Sequence, residues 1–337
     1  MNGTTYDAIV IGGGITGASA ARTIASEGLR VALIEPTGTL GREITRAYNN
    51  FARLTEYVEQ SPSIYEFMNE LKSRKGWFEG QLDPTVAALA LDEWLASYPV
   101  DVYFHVWPSR LLTDRRRVTG LEAASKSGRA SISASRVIDA SRHGKIARTK
   151  FASVKPNHEL SLIHLIYNGI SGPCPQELSI DLPGEGKIQV SCRPTFWKNE
   201  WRVTLVVHRM MEREDWLLLL DGLLPVLHVR IPELRSGVLA YLADDGWSVP
   251  DAWLSPARAS SDSASGTGII AGSIISPDVD GIVDVPASML RNAEAADGLY
   301  LAGPWLEGYP FDPRQEELAI VNAFLLGDMV GRMAAGR

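Results

Sequence analysis

The chain has 337 residues, enough for one large domain or two modest ones with a sizeable core. Hydrophobic residues make up 45% and charged residues 22%, the balance of an ordinary soluble protein, and the formal net charge of -7 argues against nucleic acid or an anionic membrane as partner. Its two cysteines, Cys174 and Cys192, form no C-x-x-C pair, which disfavours disulfide exchange and a zinc site and reads as buried thiols in a reducing cytosol. No basic and apolar leader opens the chain, and the greasiest run, 216–227, is broken by Asp221 and Pro225, so a core helix and a cytoplasmic location are expected.

In chain order, AIVI (8–11) is a continuous apolar run, the pattern of a parallel strand buried on both faces. Gly12, Gly14 and Gly17 follow as G-x-G-x-x-G and lead into a helix. The first glycine permits the tight turn and the second lets a pyrophosphate approach the backbone. The third lets helix and strand pack closely, and the helix N-terminus, through residues such as Ile15 and Thr16, offers N–H groups to phosphate. RVALIE (30–35) is a second strand ending in Glu35, placed to accept hydrogen bonds from an adenosine ribose, with Pro36 beside it. Strand, triplet, helix, strand and acid fall in register, so residues 7–36 predict a dinucleotide site. A Rossmann unit that has lost its ligand is the alternative.

TGTLGREITRAYNNFARL (37–54) reads as a loop running into a helix, 61–71 as a helix, and KSRKGWFEGQ (72–81) as a polar connection. Asp83-Pro84 opens the next helix as N-cap and first-turn proline. VDVYFHVW (100–107) reads as a strand, and three short segments to Ala140 form a β-meander ending in a buried strand. From 150 to about 285 the texture changes: strands KIQVSCRPTF and WRVTLVVHRM flank a Lys198-Asn199-Glu200 turn, then come a helix over 212–227 and a Pro/Ser/Gly-rich segment over 255–276. GTGIIAG (266–272) follows serine-rich loop rather than strand, so it reads as loop glycines. GLYLAG (298–303) is another buried strand, and a long apolar helix closes the chain. The middle therefore reads as a domain inserted into the first.

Four runs together resemble the FAD-dependent oxidoreductase family of the glutathione-reductase-like fold. They are residues 7–36; LGREITRA (40–47), where that family carries a glycine-containing loop over diphosphate and flavin; RVTGLEAASKSGRASISASRVIDAS (117–141), where it often reads V-I-D-A-T-G; and GLYLAGPW (298–305) before a helix, where its last strand reaches ribityl and pyrophosphate. The resemblance covers about 150 residues at both ends of the chain. It implies an α/β fold: a Rossmann-like FAD-binding domain with β-meander over 1-50, 82-150 and 286-337, plus an inserted α+β substrate domain over 51-81 and 151-285. It implies FAD held by Gly12, Gly14, Ile15, Thr16, Gly17, Glu35, Pro36, Arg42, Glu43, Thr45, Val106, Ala140, Ser141, Gly303, Pro304, Glu317, Leu318 and Ala319. Arg42 and Arg46 could neutralise diphosphate or meet an anionic substrate, with solvated loop arginines as the alternative, and Glu43 and Thr45 could contact ribityl hydroxyls.

Three departures stand out. Arg142 replaces the glycine after V-I-D-A-T, Pro304-Trp305 stands where the ribityl acid is usual, and Glu316 and Glu317 would compete with a flavin carbonyl at the last helix. The flavin would supply the redox chemistry. His208, on the strand expected to roof it, is the candidate proton acceptor, with a structural strand histidine as the alternative. His158 and His164 lack a metal-site spacing, and no metal is expected. Trp305, Tyr309 and Phe311 could wall a pocket for an apolar or aromatic small molecule. Hydride transfer to or from such a substrate is the leading reading, as dehydrogenase, oxidase or a monooxygenase served by transient NAD(P)H. A non-catalytic or accessory flavoprotein subunit is the alternative, and homo- or hetero-oligomerisation stays open. Protein side chains filling the mouth beside Gly12 to Gly17 would count against redox work.

Overall fold

A computed structural model describes residues 4–53, 61–155, 159–175, 177–250, 253–254, 270–276, 282–292, 295–307, 309, 312 and 314–336. Phe311, His158 and residues 255–269 of the Pro/Ser/Gly-rich segment lie outside the described residues.

The N-terminal half builds β1 (Ala8–Ile11), α1 (Ile15–Ser26), β2 (Val31–Glu35), a single turn α2 (Arg42–Thr45), α3 (Pro62–Ser73), α4 (Pro84–Ala96) and β3 (Val100–Phe104). The meander β4 (Trp107–Asp114), β5 (Arg117–Ser125) and β6 (Gly128–Ser133) follows, and β7 (Arg136–Asp139) returns to the first sheet. His105 takes a positive φ of 57°, and this break splits the apolar run 100–107 between the parallel sheet and the meander. The middle contributes β8 (Ser161–Asn168), β9 (Glu177–Leu182), β10 (Gly186–Pro194), β11 (Glu200–Val207), α5 (Arg213–Arg230), β12 (Val238–Leu242) and β13 (Trp247–Ser248). A hairpin of β14 (Ile270–Ile275) and β15 (Ile282–Pro286), the strand β16 (Leu299–Leu301) and the helix α6 (Glu316–Ala335) complete the described fold.

The first sheet runs β16-β7-β1-β2-β3, and every pairing is parallel. Strands β16, β1 and β2 are buried on both faces, as their apolar runs require, while the edge strand β3 is partly exposed. Helix α6 lies along α1 because two of its residues lack side chains. A Cβ at Gly327 would collide with the Thr16 carbonyl, and one at Gly331 would come within 2.7 Å of Thr23 Cβ. Asp328 fills the seam between them: it accepts hydrogen bonds from Thr23 Oγ1 (2.6 Å), Ser19 Oγ (3.1 Å), Ser61 Oγ and Ser63 Oγ. By length and composition α6 could cross a membrane, yet its Ile320, Val321, Phe324 and Met329 are buried in the core.

The second sheet runs β9-β10-β11-β8-β12 with antiparallel neighbours, and β13 pairs with β8. Alternation sorts its faces. Ile163, Leu165, Tyr167, Val203 and Leu205 pack with Trp216, Leu220 and Leu223 of α5 in a separate core. Leu162, His164, Arg202, Thr204 and Val206 occupy the other face. This sheet and α5 match the expected α+β layer.

Two stretches group differently from the expected division at 51-81 and 151-285. Ile64, Phe67 and Leu71 of α3 belong to the first core, where the Phe67 and Phe324 rings lie 5.3 Å apart. Ile274, Ile275 and Val285 of the β14–β15 hairpin belong there as well, with Asn322 bonding both the N–H and the carbonyl of Ile275. The apolar periodicity of α3 was visible, but its partner α6 is remote in sequence. Residues 72–81, read as a polar connection, include a short hairpin in which Trp77 pairs with Leu82.

Replacing Asp328 with Ala would leave buried hydroxyls from α1 and α3 without their acceptor. The expected loss of stability is about 3 kcal/mol, read as a lowered urea midpoint, with Asp328→Asn retaining part of it.

Candidate functional site

Open parallel sheets bind ligands outside the carboxyl ends of their strands, and the conserved geometry of that crevice begins at the end of β1. Gly12 has a φ of 96°, and a Cβ there would lie 2.7 Å from the Ala140 carbonyl, so only glycine lets β1 turn beside β7. A Cβ on Gly17 would collide with the Gly12 carbonyl, which is the close helix–strand contact expected of the third glycine. The Gly13 N–H donates to Glu35 Oε2 at 2.6 Å, and Thr37 donates to Oε1 through its N–H and its hydroxyl, both at 2.7 Å. These bonds fix the Glu35 carboxylate at the glycine turn. The backbone N–H of buried Val106 donates to the Glu35 carbonyl at 3.2 Å, placing Val106 and Pro36 at the same corner.

The loop after β2 closes over this turn. Gly41 N–H donates to the Gly13 carbonyl at 2.7 Å, and the one-turn helix α2 follows. The sequence led us to expect bare amides at the start of α1; instead Glu43 Oε2 accepts the Ile15 N–H at 2.9 Å. An anion is therefore present where the dinucleotide reading requires one, but it is a protein carboxylate. Thr45, expected at a ribityl hydroxyl, donates to the carbonyls of Leu40 (2.8 Å) and Gly41 (3.1 Å) and closes the loop instead.

Arg42 and Arg46 reach across to the second sheet's side of the cleft. Asp245 Oδ2 lies 3.4 Å from Arg42 Nε and 3.0 Å from Arg46 Nε, and Arg142 Nη1 lies 3.7 Å from Asp245 Oδ1. Burial opposes the Asp245 charge, but these three guanidinium groups hold its carboxyl below the usual range. Arg42 Nη2 is buried without a hydrogen-bond partner, so the cluster keeps a donor in reserve. Arg142, in place of the family's glycine, sends its side chain to the Gly246 carbonyl at 3.0 Å. Burial first, then the charge of Arg42, lowers its guanidinium to about 10.

Between these groups lies a cavity of about 80 Å³. Thr16, Arg42, Glu43, Pro304, Tyr309 and Ala319 line its cofactor side, and Met210, Met211, Trp247, Val249 and Pro250 line the opposite wall. Tyr309 thus takes its expected place, and burial together with the Glu43 charge raises its phenol. Trp305 does not wall the pocket. It is fully buried, packs on Gly303 and Gly144, and donates its Nε1–H to the Ser141 carbonyl at 2.8 Å. Ser141 in turn donates to Asp139 Oδ1 at 2.6 Å. The residues expected at Ala140, Ser141, Gly303 and Pro304 are therefore gathered at one place, braced by an indole.

Helix α6 brings a correction. Glu317 pairs with Arg193 at 2.6 Å, and Glu316 pairs with buried Arg202. Neither carboxylate bonds the first-turn amides, so the expected competition with a flavin carbonyl is relieved; Leu318 is buried and Ala319 faces the cavity. His208 is a second correction: it lies one residue beyond β11, exposed, and outside the cavity lining. The strand expected to carry it ends at Val207.

Sequence reasoning missed the cluster around Glu316. His164 Nε2 lies 3.0 Å from Glu316 Oε2, and His164 Nδ1 lies 3.0 Å from Thr204 Oγ1. Arg202 also donates to Asn50 Oδ1 at 2.8 Å and sits over the Phe51 ring. Burial pushes the Glu316 carboxyl up, but Arg202 and His164 overcome it and hold the carboxyl at about 2. Burial and then Arg202 lower the His164 imidazole. Polar residues at His164 and Arg202, inside otherwise apolar strands, were the available signal; their partner Glu316 lies far along the chain. Among the described residues no group of His, Cys, Asp and Glu could hold a metal. Cys192 is buried, which pushes its thiol up to about 12.

The glycine cradle, the anchored Glu35, the reserve donor of Arg42 and the adjoining cavity fit FAD. Its diphosphate would face Arg42 and the start of α1, where Glu43 accepts the Ile15 N–H, its ribose would face Glu35, and its ring system the cavity beside Thr16, Pro304 and Ala319. Residues 7–156 match the family model described as FAD dependent oxidoreductase, so this part of the chain carries that family's domain. No curated protein sequence matches the chain. The fold is shared with a geranylgeranyl bacteriochlorophyll reductase-like protein from Thermoplasma acidophilum (TM-score 0.60, 18% identity, 98% of this chain and 78% of that one). It is also shared with p-nitrophenol 4-monooxygenase PnpA from Pseudomonas putida DLL-E4 (0.60, 14%, 99% and 80%) and the myxobacterial chondrochloren halogenase CndH (0.56, 16%, 96% and 72%). The chain thus has a Rossmann-like α/β fold with a second, antiparallel layer, and residues 7–156 are similar to the FAD-dependent oxidoreductase family.

Two outcomes follow from this geometry. Gly14→Val should lose flavin retention, read as the flavin-to-protein absorbance ratio after purification, because a side chain would occupy the diphosphate's approach. Stability should also decline with acid in two steps. The lowered imidazole of His164 weakens folding as pH falls below about 6.5, and the depressed carboxyl of Glu316 gives stability that is full above about 4.5 and lost toward 2. Urea midpoints measured against pH should show His164→Gln flattening the first step, and Arg202→Leu costing about 3 kcal/mol at neutral pH.

Proposed function

We propose that this enzyme moves a hydride between FAD and a small organic molecule with an apolar or aromatic body. The observation that carries the reading is the cavity, which joins the cofactor side at Thr16 and Tyr309 to a wall of Met210, Met211, Trp247, Val249 and Pro250. Apolar side chains there favour a substrate able to shed water from a hydrophobic face. When bound, the flavin supplies the hydride chemistry. The chain's own groups bind and orient: Arg42 and the α1 amides hold negative charge, Glu35 holds sugar hydroxyls, and Met211 and Trp247 exclude water.

Dehydrogenase, oxidase and monooxygenase chemistry all suit such a cavity, and a nicotinamide donor would bind transiently. Similarity to a monooxygenase, a halogenase and a reductase-like protein supports redox work on small organic molecules. The net charge of -7 argues against nucleic acid or an anionic membrane as partner. The accessory-subunit reading draws on Arg142 and Pro304 but leaves the cavity without a purpose.

Anaerobic photoreduction of the FAD-loaded protein, followed by admission of air or an aromatic substrate panel, tests the proposal. Rapid reoxidation is expected. A protein that stays reduced with every acceptor would favour the accessory role, and one that cannot be loaded with FAD would overturn both.

A further inference from the structure

Glu43 combines two features that belong to opposite states of one site. Its Oε2 accepts the Ile15 N–H at 2.9 Å, and its Oε1 lies 2.6 Å from where a Cβ of Gly14 would stand. The carboxylate therefore rests on the bare glycine face and amide that the fold reserves for diphosphate. Two anions cannot share that position: a diphosphate arriving there would meet Glu43 at contact distance, with little water between to screen the repulsion.

The same cavity holds an alternative partner for Glu43. Arg142 lines it half-buried, donates to the Gly246 carbonyl at 3.0 Å, and lies 3.7 Å from Asp245. Asp245 is already shared with Arg42 and Arg46, and its approach to Arg142 is the longest of the three, at 3.7 Å. Arg42 Nη2 adds a buried donor with no acceptor. Negative charge placed at the mouth would complete the set.

We propose that Glu43 is an internal surrogate for the FAD diphosphate, and that cofactor loading requires its carboxylate to leave the Ile15 amide and pair with Arg142. The Glu43–Arg142 pair then sets how tightly FAD is held. This opposes the expectation that Glu43 simply accepts from ribityl hydroxyls, and it gives Arg142, the residue in place of the family's glycine, a function. The proposal rests on FAD being the cofactor.

The test uses full-length protein stripped of flavin and titrated with FAD, followed by quenching of flavin fluorescence, with ADP as a competitor that carries the diphosphate but no flavin. Glu43→Gln should bind both FAD and ADP at least about tenfold more tightly, since the competing charge is gone. Arg142→Met should weaken FAD by a similar factor, because the displaced carboxylate loses its destination. The double variant should bind like Glu43→Gln alone, a non-additivity that a general folding defect in Arg142→Met would not produce. Equal or weaker binding by Glu43→Gln would overturn the proposal and return Glu43 to a direct cofactor contact. Additive effects in the double variant would overturn the role of Arg142. Failure of the parent protein to bind FAD at all would instead overturn the cofactor itself, a result distinguishable from either.

Discussion

The contact between Gly17 and the carbonyl of Gly12 governs everything built above it. With no side chain between them, α1 begins directly over the end of β1, and its first amides point into the crevice at the carboxyl ends of the parallel strands. That placement fixes where negative charge is stabilised. It also fixes where α6 must run, because the flush seating of α1 leaves a surface that Gly327 and Gly331 can approach closely.

Charge at the crevice is handled by a small number of buried groups with unequal resources. Asp245 draws Arg42, Arg46 and Arg142 toward the second sheet, so the loop that covers the glycine turn is tied to the substrate layer. Glu316 does the same from the other side, joining α6 to Arg202 and His164 on the sheet face. Paired buried ions of this kind add little net stability compared with apolar replacements, but leaving either partner alone is costly. Their effect is to hold two separately cored layers at a defined spacing around a cavity.

The family's usual residues are absent at two places, and the structure offers compensation at each. Where a glycine would bring backbone to the cofactor, Arg142 reaches the Gly246 carbonyl and lines the cavity. Where an acid would follow the last strand, Pro304 lines the cavity and Trp305 turns inward to brace the Ser141 carbonyl. The enzyme keeps the cradle while changing the charge around it.

Residues 7–36 could be read almost completely from the chain, because each requirement there is local: an apolar strand, glycines where a Cβ cannot fit, and an acid one strand later. The Asp83 cap, the meander and the closing helix were legible for the same reason, since propensity and periodicity act over a few residues. What tertiary structure alone decided is which distant groups meet. Glu43 could not be placed on the Ile15 amide, nor Thr45 turned away, without the fold of the loop over the glycine turn. His208 was assigned as part of the strand expected to roof the flavin and lost its role because β11 stops at Val207, while His164 and Arg202 gained theirs from Glu316, more than a hundred residues onward. Short-range sterics write themselves into the sequence; the pairing of buried charges depends on three-dimensional proximity, which no local pattern records.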